Sequence, residues 1–322
     1  MLSFCGCLIA LSASAWSAAA PTEFPTRPIR LISPFPPGGG NDIISRTLGA
    51  AVSKRLGQSI VVDNRPGANT IVAMEILARA TPDGYTLLTS SSSQATNATL
   101  YTKLPYDSIK DFSPVSMVGM SPLVVAVNPA LPIKSVGDLI AAARAKPGTI
   151  LYPSAGTGNS THLAGELFAV MAGVTLTHVP YKGLGPGLLD LMAGRLHMVF
   201  STAPAAIPHI KSGRLRGLAV TTAARSSLVP QLPTVAETGV PGYEAGSWYG
   251  IIAPAGTPRA IITRLNTEIT TVLATPEFRE QLMSAGADPA PTTPEQFATL
   301  LQAEIAKWAK VIKLSGAKAE SQ

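Results

Sequence analysis

Cysteine is nearly missing: Cys5 and Cys7 are the two in 322 residues, and both fall within the first twenty. A chain cleaved beyond them has no disulfide, no thiol nucleophile and no cysteine-ligated metal. Charge is sparse as well, with Lys, Arg, Asp and Glu at 14% and no block of basic residues. The net charge of +6 and pI of about 9.4 therefore describe a solvated basic surface, with no nucleic-acid footprint. His162, His178, His197 and His209 lack the H-E-x-x-H pattern or any other compact ligand spacing, so no metal site is expected. No Lys-Ser or Lys-Thr follows the triple glycine at 38–40, and its spacing is not G-x-G-x-x-G, so neither nucleotide fingerprint is present and no cofactor is expected. Leu2 to Ala20 carries no charged side chain and ends in three alanines. Residues 1–20 read as a secretory signal cleaved near Ala18–Ala20, rather than a membrane span.

The composition otherwise suits a large folded protein. Hydrophobic residues make up 46% of a chain long enough for two domains. Strand and helix signals alternate. The strand-like Ile29–Ser33 runs into Pro36, Pro37 and Gly38–Gly40, then an amphipathic helix from Asn41 or Asp42 with Ile44, Leu48, Val52 and Leu56 in register. The prolines stop the strand, and the glycines reach positive φ without a Cβ to block a ligand. First-turn N–H groups have no partner within their helix and attract anions. A second such passage runs from Tyr152 through Ser154-Ala155-Gly156-Thr157-Gly158-Asn159-Ser160-Thr161-His162. Further strands are expected at 59–63, 85–89, 123–127, 149–152, 176–179, 198–201 and 217–221. The polar run from Ser90 to Asn97 lies beyond the carboxyl end of the strand at 85–89, and Thr257-Pro258, Thr275-Pro276 and Thr293-Pro294 each read as an N-cap before proline.

Such alternation predicts an α/β fold of open, mainly parallel sheets, with ligands beyond the carboxyl ends of strands. One domain is expected over residues 24–122 and 251–322, the other over 123–250, with two chain crossings as the hinge. A Ser154/His162 nucleophile pair is the sharper chemical alternative, but the G-x-S-x-G elbow and an orienting acid are both missing. Tyr181 offers a hydroxyl and Lys182 a charge after one strand, though packing or solvation serves equally well. Trp248 and Tyr249 read as core.

The ordered motifs are Pro34-Phe35-Pro36-Pro37-Gly38-Gly39, Val62-Asp63-Asn64-Arg65-Pro66-Gly67-Ala68, Pro82-Asp83-Gly84-Tyr85-Thr86-Leu87-Leu88, His162-Leu163-Ala164-Gly165-Glu166-Leu167-Phe168, His178-Val179-Pro180-Tyr181-Lys182-Gly183, Leu232-Pro233-Thr234-Val235-Ala236-Glu237 and Ala253-Pro254-Ala255-Gly256-Thr257-Pro258. Together they resemble the Bug family, extracytoplasmic receptors of tripartite tricarboxylate transporters. The resemblance implies a periplasmic-binding-protein fold with a central cleft, acting as a monomer. It also implies capture of a small carboxylate for a membrane permease, without catalysis or cofactor. By resemblance, Gly38, Gly39, Gly40 and Asn41 form one wall, and Ser154, Gly156, Thr157, Gly158, Ser160 and Thr161 the other. Ser91, Ser92 and Gln94 reach the rest of the solute, with Tyr181 and Ser201 as further contacts. Ser201 stands where many members carry Asp, which points away from amino acids and towards plain or aromatic acids. A periplasmic serine hydrolase and a ligand-responsive partner of a membrane sensor are the competing readings.

Overall fold

Short apolar runs that stop at proline or glycine alternate with helices capped by Ser, Thr or Asn. The computed structural model describes residues 24–38, 40–181 and 184–317. The expected signal segment with Cys5 and Cys7, together with Gly39, Lys182 and Gly183, lies outside the described residues. In chain order the elements are β1 (Ile29–Ser33), α1 (Gly40–Leu56), β2 (Ile60–Asn64), α2 (Ile71–Ala78), β3 (Thr86–Ser91), α3 (Ser93–Leu100), β4 (Phe112–Val127), α4 (Val136–Ala145), β5 (Leu151–Ser154) and α5 (Ser160–Ala172). There follow β6 (Thr177–Pro180), α6 (Leu184–Met192), β7 (Met198–Thr202), α7 (Ala203–Lys211), β8 (Arg216–Val220), β9 (Gly246–Pro254), α8 (Arg259–Ala274), α9 (Pro276–Ser284), β10 (Asp288–Pro289) and α10 (Pro294–Ser315).

The main sheet runs β2-β1-β3-β9-β4-β10. Strands β1, β2 and β3 are parallel, but β9 is antiparallel to both β3 and β4. The expectation of mainly parallel sheets is corrected here, for a topological reason. One strand carries the chain out of the first half and its neighbour brings it back, so the two must run in opposite directions. Strand β4 is that exit. From Phe112 to Pro122 it pairs with β9, and from Leu123 to Val127 it pairs with β7 and β8. The return strand starts at Gly246, five residues before the expected 251. Strands β5 and β6 form a separate parallel pair.

Capping follows side-chain chemistry. Thr293 and Gln296 form a reciprocal capping box on α10, with hydrogen bonds of 3.2 and 2.9 Å, and Thr275 caps α9. Thr257 does not cap α8, because its hydroxyl donates to Pro254 O at 2.8 Å and the helix starts after Pro258. The run Ser90–Asn97, beyond the carboxyl end of β3 and with no element expected over it, mostly winds into α3. Its polar face is buried and paired: Gln94 bridges Ser90 and Ser108 O, and Asn97 exchanges hydrogen bonds with Asn69. No helix among the described residues is long and apolar enough to cross a membrane.

The returning strand β9 packs on α10, where Trp248 meets Phe297 edge to face at 5.5 Å. A Cβ at Gly250 would fall inside the Phe297 ring, and that ring is fully buried and has no room to withdraw. Gly250→Ala is therefore expected to cost about 1–3 kcal/mol by overpacking. Urea unfolding should show a lower midpoint at unchanged m-value, whereas a wild-type midpoint would contradict this packing.

Candidate functional site

The carboxyl ends of β3 and β7 run straight into helices, and those of β1 and β5 reach theirs through short turns after Ser33 and Ser154. The four junctions wall one cavity of about 570 Å³. From the first half come Phe35 to Gly38, Gly40 and Asn41, with Ser91, Ser92 and Ser93 at the start of α3. From the second come Ala155, Asn159, Ser160 and Thr161 at the start of α5, Thr202 before α7, and Leu184 of α6. Ser247 and Tyr249 of the returning strand close the remaining side. Ligands of open α/β sheets bind at such strand ends. The positive ends of α1, α3, α5 and α7 open here, and among the described residues none that lines the cavity carries a charge.

Local hydrogen bonds explain how each wall is held. Asn41 is a brace: its carbonyl accepts from Ser33 Oγ at 3.0 Å, and its amide donates to Thr89 O at 3.0 Å. That fastens the first turn of α1 to β1 and β3. Asp42 lies just behind, where Gly38 N–H, Asn64 and Arg46 donate to its carboxylate at 2.9, 2.8 and 2.9 Å. Burial alone would raise this carboxyl, but those donors win and hold it below its usual range. Gly38, assigned by resemblance to the solute-holding wall, thus lines the cavity while its N–H serves Asp42. On the facing wall, Asn159 caps α5, its side-chain oxygen accepting from Thr161 N–H at 3.1 Å.

Of the residues singled out from the sequence, Gly38, Gly40, Asn41, Ser91, Ser92, Ser160 and Thr161 are brought together around the cavity. Ser91 Oγ is buried there and has no hydrogen-bond partner among the described residues. Gln94, Ser154, Gly156, Thr157, Gly158, Tyr181 and Ser201 are not among the lining residues. Gln94 is used at both ends by Ser90 and Ser108, Tyr181 donates to Asp190 at 2.6 Å, and Ser201 Oγ donates to its neighbour's carbonyl at 3.3 Å. Sequence reasoning passed over Ser93, Asn159, Thr202, Ser247 and Tyr249. Alternation in β9 was the available signal for the last two, since Ser247 and Tyr249 share the face opposite Trp248.

The suspected Ser154/His162 pair does not form. Ser154 Oγ meets His178 Nε2 at 2.6 Å instead, while His162 Nδ1 accepts from Gly158 N–H at 3.0 Å. The two imidazoles stack with centroids 3.8 Å apart, and Glu166 lies 3.4 Å from His162. Ser154 is fully buried away from the cavity. Burial and the adjoining His162 ring lower His178 to about 4.

A sequence model described as the tripartite tricarboxylate transporter family receptor matches residues 44–317. Protein BugT of Bordetella pertussis is 40% identical over 320 residues, which is 99% of this chain and 98% of that protein. Among solved structures, R. palustris Rpa4515 with adipate aligns at a TM-score of 0.81 and 40% identity, covering 92% of this chain and 99% of that one. MatC from Rhodopseudomonas palustris with bound malate aligns at 0.75 and 30% identity, covering 90% and 100%.

The neutral His178 gives a pH dependence with a definite sign. Its folded value near 4 lies below the ordinary 6.5, so its contribution is complete above pH 6.5 and is lost as pH falls towards 4. Calorimetry on His178→Gln should show a shallower fall in melting temperature over that window than wild type. Identical slopes would contradict the assignment.

Proposed function

Because the chain belongs to the tripartite tricarboxylate transporter family of receptors, we propose that it captures a small carboxylate outside the cytoplasm and presents it to a membrane permease. The observation that carries this reading is the cavity itself. Donor-rich helix starts from both halves of the chain converge on a space of drug-like size, and none of the described lining residues is charged. Rpa4515 was solved with adipate and MatC with malate, which makes linear dicarboxylates the first solutes to try. The apolar leader at residues 2–20 supports export to the periplasm.

Neutral donors are sufficient in magnitude. Micromolar binding corresponds to about −8 kcal/mol. A hydrogen bond to a charged group contributes about 1.5–3 kcal/mol, and a helix terminus roughly 0.3–1. Four or five donors closing on one carboxylate reach that range after the ordering costs of association.

Closure supplies the second set of donors. The proposed lobes are residues 24–122 with 246–317, and residues 123–245, joined where β4 changes partners and where β9 returns. A solute that touches both walls favours the closed arrangement because only there does it meet all its donors. The cavity is complete within one chain, which supports action as a monomer. Capture without turnover is supported by Ser154, whose hydroxyl is buried, bonded to His178 and away from the cavity.

Adipate, malate and benzoate should each be titrated against the purified protein, with glucose and putrescine as controls. A carboxylate at about a hundred times its Kd stabilises by roughly 2.7 kcal/mol, a rise of about 4 °C for a chain of this size. A shift from a control alone, with none from any carboxylate, would contradict the reading. Ser91→Ala is expected to weaken the best carboxylate about 10- to 100-fold, the size of one hydrogen bond to a charged group. Calorimetric titration giving a wild-type Kd would remove Ser91 from the site.

A further inference from the structure

The turn that carries the second wall, Ala155 to Asn159, is made of residues with little conformational preference of their own. Gly156 and Gly158 sit at φ of +130° and +80°, which other residues rarely adopt. A Cβ at Gly158 would overlap the Leu100 side chain of α3, so this turn is also where the two halves of the cavity touch. Its placement decides how the donors of α5 meet those of α3. Side chains, rather than sterics, hold it. Ala155 N–H donates to Thr161 Oγ1 at 3.0 Å, Gly156 N–H to Ser154 Oγ at 3.1 Å, and Gly158 N–H to His162 Nδ1 at 3.0 Å.

Two of those three acceptors belong to a buried polar cluster beneath the turn. Ser154 Oγ accepts from Gly156 and also meets His178 Nε2 at 2.6 Å; in the tautomer with the His178 proton on Nδ1, Nε2 takes the serine proton. His162 accepts at Nδ1, so its proton sits on Nε2, 3.4 Å from Glu166 Oε1. Glu166 Oε1 also accepts from Tyr152 Oη at 2.7 Å. Two directed chains result, one from Gly156 through Ser154 to His178, the other from Gly158 through His162 to Glu166. The stacked rings hold the chains together. Neither Ser154, His162, His178, Glu166 nor Tyr152 lines the cavity.

We propose that this cluster is a clamp that fixes the solute-facing turn, with His178 as a positioning residue for binding although it never touches the solute. The proposal rests on the receptor reading for its second consequence only, since the clamp acts on the empty protein as well. The titratable groups facing His178 are His162 and Glu166 of α5 and Tyr152 of β5. Tyr243, whose hydroxyl donates to Ala164 O at 2.9 Å, packs behind them. An imidazolium at His178 would offer Ser154 a donor where a lone pair is needed. The serine proton would then leave that contact, and the chain from Gly156 to His178 would lose its direction.

Two variants separate the bond from the packing. His178→Phe keeps a ring in the stack and removes the acceptor, while His178→Gln restores an acceptor at nearly the same reach. Amide hydrogen exchange on the unliganded protein is expected to rise at least tenfold at Gly156 in His178→Phe, with the amides of α10 unchanged. The Kd for adipate is expected to rise about tenfold in parallel, and His178→Gln should restore both values to within about threefold of wild type. Wild-type exchange at Gly156 in folded His178→Phe would overturn the clamp, as would a loss that glutamine does not rescue. Should His178→Phe fail to fold, Ser154→Ala breaks the same link with the imidazole pair intact and is read by the same exchange criterion. If wild type binds no adipate, exchange still judges the clamp, and only the receptor reading is damaged.

Discussion

An anion that leaves water must exchange every hydrogen bond of its hydration shell for one supplied by the protein, and an unpaired carboxylate in a cleft is strongly unfavourable. The cavity meets that demand with backbone amides and hydroxyls gathered at the first turns of α1, α3, α5 and α7, and no lining side chain among the described residues carries a charge. Much of the architecture follows from that. Parallel β1 and β3 deliver two helix starts from one half, while β5 and β7 deliver two from the other. Asp42, the one carboxylate in these first turns, is consumed by Gly38, Asn64 and Arg46, so it does not face the cavity as a free repelling charge.

The shared strand gives the fold its second property. Because β4 pairs with β9 over its first part and with β7 and β8 over its last, the two halves are joined by continuous backbone at one crossing and by Gly246 at the other. In the proposed closure this joint is the hinge between the facing walls. Leu100 against Gly158 marks where they already touch.

What the sequence disclosed, and what it hid, follows from the kind of signal each residue leaves. Local punctuation was readable: proline and glycine after Ser33 stop β1, and Thr275 and Thr293 announce their helices. Helix α3 was hidden because its buried face is polar. Ser93, Gln94 and Asn97 give no apolar period, and the partners that bury them are as far away as Asn69 and Ser108. The N-terminal part of β4 was hidden because a largely buried strand lacks alternation, and β9 was passed over although it alternates at Ser247, Trp248 and Tyr249. The partner of Ser154 was misread because His162 is eight residues away in sequence, whereas His178 reaches it only through the β5–β6 pairing of Tyr152 with His178. Motif order disclosed the family, while contacts across the cavity needed the three-dimensional arrangement.

The most direct measurement is a crystal structure of the protein with the carboxylate that raises its melting temperature most. The account requires a carboxylate group in the 570 Å³ cavity, within hydrogen-bonding distance of amides or hydroxyls from both the Gly40–Asn41 and Ser160–Thr161 walls. A solute bound elsewhere, or one in this cavity held by a lysine or arginine side chain, would contradict it.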